Sequence, residues 1–382
     1  MKMLPVYPVY DVEPVRGEGC FIFDQQGRKY LDLYGGHAVI SIGHNHPTYV
    51  KKISEQLNKI GFYSNSVNIP IQEEYAGKLG QLCGYDDHNL FLCNSGAEAI
   101  ENAIKIAAFN SKGKKVIVFD KAFHGRTSMA VACTDNKKIQ TQFDNHQQIL
   151  RLPLNDIDVF ISNIENDVCA VMMEGIMGVG GIHQPTKEFL EVVRTKTKDH
   201  GVWLIMDEVQ SGFGRSGAFF AHQIDGIEAD IITIAKGMGN GFPIGGVLVS
   251  PKLKSWKGML GSTFGGNHLA CAAGLSVLEI IQKEQLIINA RKMGEILKEE
   301  IGKIPQVKGI RGAGLMLGLV FDFPVSKLRK SLVMKYGIFT GSSAEANVIR
   351  LLPPLNITSE EIKLFINKLR NALELTDKKV SR

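Results

Sequence analysis

Ile231-Ile-Thr-Ile-Ala-Lys-Gly-Met-Gly-Asn-Gly-Phe-Pro243 is the stretch on which the fold reading turns. Its first residues form a short apolar run with β-branched side chains. Such a run suits a strand covered on both faces. It stops at Lys236, and glycines alternate after it. Lysine is seldom buried without a purpose. Desolvation lowers its pKa and makes the amine nucleophilic. The plainer alternative is a lysine that snorkels its charge to solvent.

Working outward, runs of the same kind recur at Leu90–Cys93, Lys115–Phe119, Val168–Met173, Trp203–Met206 and Gly246–Val249. Helical spacing fills Ala97–Phe109 and Thr186–Asp199 between them. Doubly covered strands alternating with helices predict an α/β domain with a largely parallel sheet. Ligands in such sheets sit beyond the carboxyl ends of the strands, so the residues after each run are the candidates.

After Leu90–Cys93 comes Asn94-Ser-Gly-Ala-Glu98, opening a helix. Ser95 and Glu98 have capping-box spacing. The segment is either a well-capped helix start or an anion cradle of the Ser95 hydroxyl and the Gly96 and Ala97 N–H groups. After Lys115–Phe119 comes Phe123-His-Gly-Arg-Thr127, an aromatic beside glycine and arginine on a strand-end loop. After Trp203–Met206 come Asp207 and Glu208. A P-loop ATPase acid would need G-x-x-x-x-G-K-[ST] earlier in the chain, and no such segment exists. The other reading of Asp207 is a carboxylate facing a cationic cofactor group. Glu208 reads equally as a helix N-terminal acid.

The flanks differ. Cys20–Phe23 and Lys29–Leu33 around Asp24-Gln-Gln-Gly27 read as a hairpin. Helices are predicted over Pro47–Ile60 and Gln72–Leu82. A long helix at His268–Gln285 precedes a smaller α+β unit: helix Ala290–Ile301, strands Gly314–Leu319 and Val348–Leu352, and helix Ser359–Leu373. The hairpin could pack with that unit. The expected organisation is an N-terminal segment 1–50, a large domain 51–267, and an interdomain helix with a C-terminal small domain 268–382.

Composition narrows the classes. The chain has 382 residues, net charge +5, 44% hydrophobic and 22% charged residues. Those values exclude disordered, collagen-like and disulfide-scaffold proteins. No basic stripe with interleaved aromatics suggests nucleic acid. No apolar run approaches the ~18 residues of a membrane span. The six cysteines form no CxxC pair and have no zinc-ligand histidine spacing, so no metal site is expected. A cytoplasmic protein is the expectation. Glycine, 40 residues, exceeds the usual share of about 7%.

One cofactor fits the four strand-end pieces. Pyridoxal phosphate needs a lysine, a carboxylate for its ring nitrogen, a stacking partner and a phosphate cradle. A Rossmann dehydrogenase fits less well, because no G-x-G-x-x-G follows a first strand.

The chain also resembles the class III, fold-type I pyridoxal-phosphate aminotransferases, within them the acetylornithine/succinylornithine aminotransferases. The resemblance spans nearly the whole chain. It rests on Gly43-His-Asn-His-Pro47, Asn94-Ser-Gly-Ala-Glu98, Phe123-His-Gly-Arg-Thr127, Asp207-Glu-Val-Gln-Ser-Gly-Phe-Gly-Arg215, Ala235-Lys-Gly237, Gly241-Phe-Pro243 and Gly261-Ser-Thr-Phe-Gly-Gly-Asn267. It implies a large domain with a mostly parallel seven-stranded sheet and a smaller α+β domain. It implies that Lys236 is the Schiff-base lysine and proton carrier, and that Asp207 keeps the ring nitrogen protonated. Gln210 would bond the ring hydroxyl, with Phe123 and Val209 on the two ring faces and His124 also at the cofactor. Ser95, Gly96 and Ala97 would hold the phosphate, with Thr263 reaching the neighbouring subunit's phosphate in a homodimer. Arg126 and Arg350 would bind substrate carboxylates, and Tyr63, Ser64, Asn65 and Glu174 would line the substrate site.

The implied reaction moves the side-chain amine of an N2-acylated ornithine to 2-oxoglutarate, in arginine biosynthesis. The alternative is a related ω-transaminase acting on ornithine, 4-aminobutyrate or lysine. The sequence departs from the family where a glutamate commonly pairs with the arginine at Arg350: it has Val179 there, and Met177 replaces a usual glutamine. Arg350 is then either always available or held by another acid. A less acidic pocket tolerates an N2-succinyl group better, which slightly favours the succinyl donor.

Overall fold

The β-branched and aliphatic runs become the central sheet of a computed structural model that describes residues 1–380, with side chains to Glu374. Seven strands lie in the order Asn89–Cys93, Gly245–Val249, Ile231–Ile234, Trp203–Asp207, Val168–Glu174, Lys115–Phe119, Ile149–Leu152. Only Gly245–Val249 runs against its neighbours; the remaining pairings are parallel. The mostly parallel sheet of seven strands is therefore present. The strand Val168–Glu174 is buried along its whole length, which is why its sequence shows no polar alternation.

Helices cover both faces. Gly96–Phe109 buries Ile100, Ala103, Ile104 and Ala107, and Lys187–His200 buries Phe189, Leu190 and Val193. Phe119, Phe160 and Phe189 meet edge-on or tilted, with ring centroids 5.4–6.4 Å apart.

The hairpin forms from Phe21–Asp24 and Lys29–Leu33. Lys29–Leu33 also pairs in parallel with Ile338–Thr340, so the two ends of the chain share one sheet. A three-stranded antiparallel sheet of Gly309–Ala313, Met316–Val320 and Val348–Leu351 completes the C-terminal part.

Several boundaries differ from expectation. The long helix ends at Lys283, and Gln285 adopts left-handed backbone at φ +52° before a new helix, Leu286–Gly302. The helix expected from Ala290 thus begins four residues earlier. The strand expected at Gly314–Leu319 is Met316–Val320, because Gly314 sits in the tight turn at φ +54°. The strands Ile149–Leu152 and Ile338–Thr340 had no strong sequence signal. Both are short, and pairing partners rather than local propensity define them. Among the described residues, no helix is long and apolar enough to cross a membrane.

Candidate active site

The carboxyl ends of the parallel strands open onto a cavity of about 310 Å³. Ser95, Gly96, Ala97, Phe123, His124, Asp207, Val209 and Lys236 all line it. These residues come from four separate strand ends, so the sheet brings together what the sequence separates by up to 141 positions.

At one end lies the start of the helix Gly96–Phe109. The Ser95 hydroxyl accepts from Glu98 N at 3.2 Å, and Glu98 returns to Asn94 N at 3.0 Å. The Ser95 cap is present, but the return bond of the box goes to Asn94 N rather than to Ser95 N. A Cβ at Gly96 would come within 2.7 Å of Val209 Cγ1, so only glycine keeps this backbone close to the cavity wall.

On the sheet side sits Asp207, 3% exposed. Its Oδ2 lies 2.7 Å from His124 Nδ1, and its Oδ1 accepts from Val209 N (3.0 Å) and Thr233 Oγ1 (3.2 Å). His124 is itself buried, and its Nε2 has no hydrogen-bond partner among the described residues. An imidazole that is anchored at one nitrogen and open at the other is a poor purely structural element, because a buried unpaired polar atom is costly.

Lys236 follows the strand Ile231–Ile234 with φ +47°. A left-handed lysine is uncommon and costly. Burial lowers its pKa; Asp207 and Glu174 oppose this, and Arg350 adds to it. The amine is therefore more often neutral than a surface lysine's, and it lines the cavity.

Other expected site residues lie beside the cavity. Glu174 is buried; its Oε1 accepts from Phe123 N and its Oε2 from Gly178 N, both at 2.9 Å. Its carboxylate ties down the Phe123 loop, and burial raises its pKa against the opposing pull of His124. Gln210 does not line the cavity. It donates to His37 O at 3.1 Å and accepts from Arg350 NH1 at 3.1 Å. A Cβ at Gly178 would sit 1.8 Å from Gln210 Oε1, so glycine there makes room for this amide.

Arg350 is 2% exposed, on the strand Val348–Leu351. Its Nε donates to Ser342 O. Among the described residues no acid forms an ion pair with it. Burial lowers its pKa to about 10. No acid among the described residues holds it; its partners are the neutral acceptors Ser342 O and Gln210 Oε1.

The nearby acid Glu345 is committed elsewhere. It meets Arg311 NH1 at 2.8 Å, His183 Nε2 at 2.6 Å and Lys121 Nζ at 3.0 Å. Burial works against its ionisation, yet these three partners hold its pKa at about 2. Through Lys121, Glu345 fixes the loop that carries Phe123.

Arg126 is exposed and off the cavity. Tyr63, Asn65 and Thr263 are also exposed, Ser64 is half-buried, and none lines this chain's cavity. Asn65 bonds Ser262 O and Gly265 O at 3.2 and 3.0 Å, joining two loops on one surface.

The sequence reading missed Thr233, Val39 and His37. Thr233 reaches Asp207 because the strands pair in register, Asp207 opposite Thr233, which no local pattern reveals.

Residues 6–373 match the class-III aminotransferase family. This chain belongs to the class-III aminotransferases. It is 39% identical to the acetylornithine aminotransferase of Bacillus subtilis (strain 168), over 97% of each chain. It is 37% identical to that of Archaeoglobus fulgidus, again over 97% of each. Among solved structures it resembles the ornithine aminotransferase of Toxoplasma gondii ME49, with TM-score 0.91 and 27% identity, covering 98% of this chain and 93% of that one. It also resembles the acetylornithine aminotransferase of Elizabethkingia anophelis, with TM-score 0.85 and 30% identity, covering 97% and 95%.

Class-III aminotransferases are transaminases that use pyridoxal phosphate, and this aminotransferase has residues that fit that group. The helix start at Gly96 offers free N–H groups for an anion. The Asp207 carboxylate offers a partner for a cationic ring nitrogen, and His124 Nε2 is an unpaired polar atom within the same wall.

Proposed function

We propose that the protein transfers the side-chain amine of an N2-acylated ornithine to 2-oxoglutarate, giving the N-acyl-glutamate semialdehyde and glutamate in arginine biosynthesis. The observation that carries this reading is Lys236 and an anchored Asp207 on one cavity, beside a buried Arg350 that has no acid partner among the described residues. The curated relatives named acetylornithine aminotransferase support the donor class.

Bound pyridoxal phosphate supplies an electrophilic carbon and a ring that accepts electrons. The rest falls to this chain's residues. Ser95, Gly96 and Ala97 hold the phosphate with hydroxyl and N–H donors at a helix start. Phe123 and Val209, which line the cavity, would pack on the ring's two faces. Asp207, steadied by His124, would hold a proton on the ring nitrogen. Gln210, the residue assigned to the ring hydroxyl, lies off the cavity with its amide on His37 O and Arg350, and would have to leave one of them to serve it. Lys236 would be the covalent attachment point. When not holding the group, Lys236 Nζ would serve as the base that removes the proton from the carbon bearing the donor's amine. Arg350 and Arg126 receive substrate carboxylates, for which the planar guanidinium is shaped.

Among the described residues Arg350 has no competing carboxylate, so it would accept both 2-oxoglutarate and an acylated donor without first releasing an acid. The same lack of acidity favours a succinyl over an acetyl donor. Tyr63, Ser64, Asn65 and Thr263 are assigned to the site of a second subunit. Their exposure away from their own cavity supports a homodimer with shared sites. A cytoplasmic location completes the reading.

The second reading is an ω-transaminase acting on free ornithine, favoured by the TM-score of 0.91 to the Toxoplasma gondii enzyme. Steady-state kcat/KM separates the two. Purified holoenzyme is assayed with N2-acetylornithine, N2-succinylornithine, ornithine, 4-aminobutyrate and lysine, each against 2-oxoglutarate. An acylated donor is expected to lead the series. Ornithine ahead of both acylated donors would replace the first reading with the second.

A further inference from the structure

The strand Ile231–Ile234 is buried along its whole length, and Thr233 is its one polar side chain. Valine would have nearly the same shape and no hydroxyl to satisfy. A buried hydroxyl is costly unless it is bonded. Among the described residues Thr233 Oγ1 has a single partner: it donates to Asp207 Oδ1 at 3.2 Å. The register of the sheet makes this contact. Asp207 and Thr233 are partners across the parallel strands, and Thr233 O accepts from Glu208 N at 3.0 Å. Lys236 follows three residues further along the same chain and lines the cavity together with Asp207. Thr233 therefore ties the strand that carries the acid to the strand that leads to the lysine, by its backbone and by its side chain.

A carboxylate has about four acceptor positions, two on each oxygen. In Asp207 two donors fill Oδ1: Val209 N at 3.0 Å and the Thr233 hydroxyl. His124 Nδ1, at 2.7 Å, takes one position on Oδ2. Among the described residues nothing takes the second position on Oδ2. The last torsion of an aspartate is soft, so the donors decide which oxygen keeps an open position. Without the Thr233 hydroxyl each oxygen would hold one donor, and either could turn to a group in the cavity. With it, the choice is made before any ligand arrives, and such preorganisation by supporting hydrogen bonds is what holds a reacting group in place.

We propose that Thr233 is a positioning residue: its hydroxyl saturates Asp207 Oδ1, so that Oδ2 is the oxygen left to hold the proton-bearing ring nitrogen of pyridoxal phosphate. The proposal rests on the assignment of Asp207 to that nitrogen and is independent of which amine donor is used. Thr233 does not itself line the cavity and acts through Asp207.

The test loads wild type, Thr233→Val, Thr233→Ser and Asp207→Asn with pyridoxal phosphate carrying a nitrogen-15 label in the ring. The ring-nitrogen chemical shift reports the proton on that atom and is followed as pH is raised; kcat is measured on the best donor of the panel above. A carboxylate free to turn holds the ring proton less firmly. Thr233→Val is therefore expected to release that proton at lower pH than wild type. It should also lose about tenfold in kcat, the scale of one hydrogen bond to a charged group, with KM for both substrates held. Thr233→Ser keeps a hydroxyl and should recover most of both. A Thr233→Val titration that overlays wild type, while that of Asp207→Asn is displaced, overturns the proposal alone. So does a displacement to higher pH, which is the result if the hydroxyl only draws charge from the carboxylate, and so does a Thr233→Ser that recovers nothing. An Asp207→Asn titration that overlays wild type overturns the proposal together with the assignment it rests on.

Discussion

Two buried acid–imidazole pairs stand back to back at the end of the strand Trp203–Asp207. Asp207 meets His124 at 2.7 Å, and its chain neighbour Glu208 meets His222 at 2.7 Å. All four residues are at most 4% exposed. The pairs differ in what the other atoms do. Glu208 accepts from Ser211 Oγ, Ala221 N and His222 N as well, and His222 Nε2 is bonded to Tyr85 OH at 2.8 Å. His124 Nε2 has no partner among the described residues, and Asp207 and His124 face the cavity. A saturated network rigidifies the fold, and an unsaturated one is available for a ligand. Identical chemistry thus divides into structure and function by the number of partners left over.

The largest test of that division is Asp207→Asn. It should lower kcat by about 10²–10⁴-fold, the range for a positioned proton-handling group, with little change in Tm. Comparable loss of activity in a variant confined to the sealed pair would remove the distinction. Glu208→Ala is the counterpart. Removing one member of a buried pair costs about 3–5 kcal/mol, so chemical denaturation should show a loss of that order while kcat per folded molecule stays near wild type.

Glu345 sharpens the comparison from the half-exposed side. Its pKa in the folded chain lies near 2, below the usual carboxylate value of about 4.3. The folded state therefore binds fewer protons than the unfolded one in that window. Its stabilisation is complete above the unfolded pKa and is lost as pH falls toward 2. Glu345→Gln should flatten the acid limb of a Tm-against-pH curve between about pH 4.5 and 2. An unchanged limb would mean that Lys121, His183 and Arg311 do not hold this acid in solution. The smallest effect is expected from Tyr85→Phe, which removes the outermost hydroxyl of the sealed network. Denaturation should report about 1 kcal/mol and unaltered kinetics.

Strand ends were the legible part. Lys236, Asp207, Ser95 and Phe123 each follow an apolar run, and a parallel sheet places such ends on one edge. What lay hidden depends on direction and on distance along the chain. Nothing in Asp207-Glu208 tells which acid turns toward the cavity; Thr233 and His222 decide it from 26 and 14 residues away. The Gln210–Arg350 bond joins residues 140 apart, so a neutral amide, where an acid was one expectation, appears only in three dimensions. The left-handed run at His37 is set by the Asp32 carboxylate and the crowding of Leu352 O against Gly35. Neither is a local propensity.

The central claim is that Lys236 is the group on this cavity that engages the cofactor. Reduction of the pyridoxal-phosphate-loaded protein with borohydride, followed by peptide mass mapping, tests it directly. A single phosphopyridoxyl addition on the peptide containing Lys236, absent from Lys236→Ala, is the predicted result. Addition at another lysine of the wild-type protein, or none, would contradict the account.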